Sequence, residues 1–96
     1  MVKNAVVADI KDNVATATTD IKEETKVIMF VGGEELSIQV QQEIPFGHKF
    51  ALRNISKGDH VIKYSESIGI ASRDIQIGEH VHVHNVDSDR GRGDLK

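Results

Sequence analysis

An eleven-residue pattern occurs twice in this chain, exactly one gapless offset of twenty positions apart. Ala51-Leu52-Arg53-Asn54-Ile55-Ser56-Lys57-Gly58-Asp59-His60-Val61 aligns on Ala71-Ser72-Arg73-Asp74-Ile75-Gln76-Ile77-Gly78-Glu79-His80-Val81. Ala, Arg, Ile, Gly, His and Val recur identically, while Asn54/Asp74 and Asp59/Glu79 recur in kind. A fainter copy runs through Ala17, Asp20, Ile21, Glu24 and Val27, with Glu24 in the glycine's place. The pattern describes a corner. A strand ends at Asx-Ile, the chain turns, and Gly takes a conformation costly for other residues. The isoleucine anchors the turn to the core and the valine begins the next strand. The period is too short and the copies too few for a solenoid. The expected fold is therefore all-β, compact and pseudo-symmetric, made of corners and short strands.

The remaining segments agree. Lys26-Val27-Ile28-Met29-Phe30-Val31 is apolar and β-branched, and Gly32-Gly33 after it suits a tight turn. Leu36, Ile38 and Val40 then alternate with polar residues, which predicts a half-buried strand and a hairpin. Val61-Ile62-Lys63-Tyr64 is a further strand, and helical spacing is sustained nowhere. The 96 residues are expected to divide into a folded domain, 1–86, and a mobile polar tail, 87–96. A domain this small buries only about two-thirds of its unfolded surface, which favours a module or subunit over a complete enzyme.

Composition removes several chemistries. With no cysteine there are no disulfides, thiolate metal sites or cysteine nucleophiles. No apolar run reaches the ~18 residues of a membrane span, and the start lacks a signal-peptide pattern, so a cytoplasmic location is expected. A net charge of −3 with mixed signs, and few aromatic residues, argue against nucleic acid as a partner. No phosphate-cradling glycine loop, nucleophile elbow or His-Glu-x-x-His helix is present.

The sharpest chemical signal is His80-Val81-His82-Val83-His84. In a strand the three histidines share one face and the valines the other. That face is either a metal or substrate contact or the polar side of an edge strand. His48-Lys49 follows Gly47 in the loop containing Pro45; it reads as a solvated turn, or as a carboxylate-binding and proton-transfer pair. Tyr64 reads locally as a core residue with a wet hydroxyl. Arg90 and Arg92 in the tail can fork onto carboxylates of a partner or substrate. The Arg92-Gly93-Asp94 adhesion tripeptide is a chance match in a chain of this kind.

Gly47-His48-Lys49-Phe50-Ala51-Leu52, Asn54-Ile55, Gly58, Ile62-Lys63-Tyr64, Ile68-Gly69 and Gly78-Glu79-His80-Val81-His82-Val83-His84-Asn85 together resemble the N-terminal SAF domain of altronate dehydratases. Asp12-Asn13-Val14-Ala15 is similar to that family's opening strand. The resemblance implies a β-clip fold like that of type III antifreeze proteins. It further implies the small subunit of a metal-dependent hydro-lyase, joined to a large catalytic subunit in a hetero-oligomer and acting on a sugar acid such as D-altronate. Galactarate dehydratase and sulfolactate sulfo-lyase are related, and the lyase's small subunit is the alternative, as is a non-catalytic binding module. The implied cofactor is a divalent metal, iron(II) or manganese. The roles it implies are His48 and Lys49 catalytic, Lys63, Tyr64, Asn85 and Arg90 on substrate, and His82 and His84 on metal. The Gly-His-Lys block resembles galactarate dehydratase too, whereas the His-x-His segment does not. Three positions depart from the family: Asp9 where His is common, and Glu24 and Ser65 where Gly is usual.

Overall fold

A computed structural model describes residues 4–88. All regular structure among them is strand, and no helix there is long and apolar enough to cross a membrane. The predicted corners are present, and they work in reciprocal pairs. Ile55 and Ile75 exchange both backbone hydrogen bonds at 2.8 Å. Ile21 does the same with Ile44, also at 2.8 Å, which reveals a further corner at Ile44-Pro45-Phe46-Gly47. The repeat hides this corner because Glu43 stands where Asn or Asp is expected. All four isoleucines are buried.

The Asx residues cap the opposite corner rather than their own. Asn54 Oδ1 accepts the Ile77 N–H, Asp74 Oδ1 the Lys57 N–H and Asp20 Oδ1 the Phe46 N–H, each at 2.8 Å. Gly58 and Gly78 have φ of 92° and 84°, and Glu24 takes the equivalent place with φ 68°. A left-handed non-glycine residue costs roughly 1–2 kcal/mol.

The corners link short strands. β1 (Ala5–Val6), β2 (Val14–Ala17), β5 (Lys49–Ala51) and β8 (His80–Val81) form an antiparallel sheet in the order β1-β2-β5-β8. β3 (Lys26–Val31) and β4 (Glu34–Gln39) make the predicted hairpin, with Gly32 and Gly33 both at positive φ. β6 (His60–Lys63), β7 (Glu66–Ala71) and β9 (Val86–Asp87) form the third sheet, so ordered strand reaches one residue past the expected domain end. The four-stranded sheet lies between two apolar clusters. Ala15, Ala17 and Phe50 point into one with Ile21, Val27 and Ile44, while Val14, Ala51 and Val81 point into the other with Ile55, Val61 and Ile75. Alternation along a strand explains why neighbours serve different cores.

The β6–β7 hairpin corrects one expectation. Tyr64 is not a core residue: it is 65% exposed, in the turn beyond β6. Tyr64 and Ser65 have φ of 57° and 65°, the pattern of a two-residue type I′ turn that usually needs Asn-Gly. The turn is held from outside. Asp12, buried, accepts the Ser65 N–H at 2.8 Å, the Tyr64 N–H at 3.1 Å and the Asp9 N–H at 3.0 Å. Asn13 serves the bulge between Val61 and Ile62, accepting the Ile62 N–H at 2.7 Å and donating to the His60 carbonyl at 3.0 Å. Because Ser65 is exposed and strained, Ser65→Gly is expected to stabilise the chain by about 1 kcal/mol. A thermal melt then shifts upward by about 4–8 °C; an unchanged or lowered midpoint counts against strain at this turn.

Candidate functional site

The corner at Ile44 ends in Gly47, with φ 85°, and delivers His48 to the start of β5. The corner at Ile75 delivers His80 to β8, and the ladder pairs Lys49 with Val81 and Phe50 with His80. Carried one step further, this antiparallel register sets His82 across from His48. The rings stack accordingly: His48 and His82 have centroids 4.1 Å apart with planes 15° from parallel. His48 and His80 lie 5.2 Å apart, with a 2.9 Å contact between His48 Nδ1 and His80 Nε2 in which one ring donates to the other. One nitrogen from each of His48, His80 and His82 falls within 4.8 Å of the other two, the one such group among the described residues.

This differs from the expected three-histidine strand face. β8 ends at Val81, and residues 82–85 form a turn. Val83 therefore does not face inward; it is 82% exposed. The turn takes His84 out of the trio: its ring lies 5.2 Å from that of His80, tilted by 34°, but offers no converging nitrogen. His84 is thus replaced as a candidate ligand by His80 and His48. No local spacing could signal His48, which lies more than thirty positions from His80.

The electrostatics follow from crowding. Partial burial, then the neighbouring His84, His48 and His82, lower the His80 pKa below its ordinary value. Desolvation, then His48, Lys49 and His84, lower that of His82. Lys49 is lowered by burial first and by the charge of Lys63 second. Lys63 is at the end of β6 and lays its Nζ 4.7 Å from the centre of the Tyr64 ring. A cleft of about 330 Å³ opens beside Lys49 and His82, walled by Ile68, Val81 and Val86. A larger groove of about 510 Å³ runs along β4 past Ser37, Gln39 and Ile77, and none of the histidines lines it.

Two further expectations change or fall away. Asn85 is not turned toward a ligand: it is fully buried and its amide is spent on the backbone of His80 and His82. Arg90 and the tail beyond Ser88 lie outside the described residues.

The donor set can be set against the geometry of a divalent metal site. Two nitrogens bound to one ion at about 2.1 Å lie about 3 Å apart at a right angle and no more than about 4.2 Å apart. The 2.9 Å His48–His80 separation meets this, and all three nitrogens lie within 4.8 Å of one another, with His82 exposed. Lowered pKa values favour the neutral imidazoles that metal binding requires. The residues fit the group.

Residues 3–89 match the family model described as the altronate/galactarate dehydratase SAF domain. The chain is 43% identical over 76 residues to altronate dehydratase of Bacillus subtilis (strain 168) and 46% identical over 75 residues to that of Escherichia coli (strain K12). These matches cover 79% and 78% of this chain but only 14% of each relative. It is also 49% identical over 55 residues to the (2R)-sulfolactate sulfo-lyase subunit alpha of Chromohalobacter salexigens, covering 57% of this chain and 58% of that subunit. With the family model spanning nearly all its residues, the chain belongs to the altronate/galactarate dehydratase SAF domain family.

Proposed function

We propose that this domain is the small subunit of a sugar-acid dehydratase, binding a divalent metal through His48, His80 and His82 and working with a large catalytic subunit. The observation that carries this reading is the convergence of three imidazole nitrogens within 4.8 Å beside Lys49. An all-imidazole set suits iron(II) better than manganese, which prefers carboxylate. The reaction is loss of water from an aldonate such as D-altronate, leaving a 2-keto-3-deoxy acid. When bound, the metal supplies Lewis acidity toward the substrate's carboxylate and hydroxyl oxygens. Lys63 supplies positive charge for the carboxylate. Lys49, its pKa lowered by burial and by Lys63, is suited to take the proton beside it. His48 moves from proton transfer to holding the metal. The domain covers the site and excludes water. The second reading is the sulfolactate lyase, favoured by the 49% identity to its alpha subunit.

Titration with Co(II), followed by its visible absorption, tests the centre without any turnover. The wild-type chain is expected to bind, His80→Ala to weaken binding by roughly 100-fold as one ligand is lost, and His84→Ala to leave it unchanged. Protons compete for the same nitrogens. Binding therefore weakens as pH falls, and the lowered pKa values of His80 and His82 move that loss to more acidic pH than ordinary histidines would show. A chain that binds no Co(II) at neutral pH removes the centre. Assay of the assembled enzyme with aldonates and sulfolactate separates the two substrates.

A further inference from the structure

The Asn85 side chain spends both amide atoms beside the histidines. It is fully buried. Its Oδ1 accepts the His82 N–H at 3.0 Å, and its Nδ2 donates to the His80 carbonyl at 2.9 Å. Its own N–H donates to the His82 carbonyl at 3.1 Å, and its carbonyl accepts the Ser72 N–H at 3.0 Å.

The side-chain pattern is that of one rung of a β-ladder. A neighbouring strand would bond the C=O of one residue and the N–H of the residue two further on. Among the described residues β8 is the last strand of its sheet, so no such neighbour lies there. The Asn85 amide takes its place. It fixes the backbone across His80-Val81-His82, where the chain is about to leave the sheet. Two of the three converging imidazoles hang from that segment. On the same edge, the His80 N–H is held by Gln42 Oε1 at 2.9 Å.

We infer that Asn85 is a positioning residue for the imidazole trio, its side chain acting as a surrogate strand that holds His80 and His82 at ligand spacing against His48. Alanine leaves a part-buried N–H and C=O without their side-chain partner and frees His82 to follow the exposed turn. The spacing of the trio then becomes one conformation among several. Supporting groups of this kind typically account for 10–100-fold in metal affinity.

The affinity arm rests on the metal-binding reading; the geometric arm does not. Asn85→Ala is best made in the Ser65→Gly background, whose added stability offsets the lost hydrogen bonds. The folded variant is expected to lose the His48–His82 ring contact seen as nuclear Overhauser effects, and to bind Co(II) about 10–100-fold more weakly. A folded variant that keeps both overturns the inference. If the wild-type chain binds no Co(II), the metal reading fails and the ring contact alone decides the role of Asn85. If the variant does not fold, hydrogen exchange on the wild-type chain decides it. The His82 amide and the Asn85 side-chain protons are expected to exchange slowly, and exchange at open-loop rates overturns the inference.

Discussion

Replacing Lys49 by alanine is expected to lower turnover by the proposed dehydratase complex about 10²–10⁴-fold, the usual contribution of a positioned acid–base group. The expectation rests on place and environment. Lys49 opens β5, next in sequence to His48 and beside the cleft that His82 also lines. Its pKa is lowered by burial and by Lys63, which favours a lysine that gives and takes a proton over one that only carries charge. Lys49→Arg separates the roles. Arginine keeps the charge but does not deprotonate, so it is expected to rescue little; restoration of most of the activity would make Lys49 an electrostatic group instead. Co(II) affinity and subunit association should be nearly unchanged in both variants. Turnover within a factor of about two of wild type, far below any acid–base contribution, would remove Lys49 from the chemistry.

The largest effect on stability is expected at Asp12. Asp12→Ala leaves three backbone N–H groups, of Asp9, Tyr64 and Ser65, without their acceptor. Hydrogen bonds to a charged group contribute about 1.5–3 kcal/mol each and do not simply add, so a loss of about 3–5 kcal/mol is expected. A domain of this size has only about 5–15 kcal/mol in total. The melting midpoint should fall by at least about 12 °C. The Tyr64-Ser65 turn depends on this carboxylate because both residues sit at positive φ. Asp12→Asn, which keeps one accepting oxygen, should lose less. A fall below about 4 °C for Asp12→Ala, less than one hydrogen bond would give, would show that the turn holds itself.

The corners were legible because a corner is a local event. An isoleucine, a two-residue turn and a glycine answer to chain sterics over a few positions, and the twenty-residue offset repeats them. The Gly32-Gly33 hairpin was legible for the same reason. Even the departures at Glu24 and Ser65 pointed to left-handed positions, which both residues occupy. The corner at Ile44 escaped because Glu43 replaces the Asx residue, although its isoleucine pairing and its spacing to Gly47 match the others.

The histidine site was only half legible. His80 and His82 share a face because side chains in an extended segment repeat every second residue, and their sequence states that spacing. Extending the rule to His84 failed, because buried Asn85 closes a turn that ends the strand, and a buried amide leaves no mark on a period of two. His48 joins the group only because corners at Ile44 and Ile75 bring β5 beside β8. Local sequence thus determined the corners, the hairpin and the histidine pair, all set by steric preferences within a few residues. Tertiary pairing decided which third imidazole completes the trio, what Asn85 holds, and why Asp12 is buried, since each depends on hydrogen bonds between segments far apart in the chain.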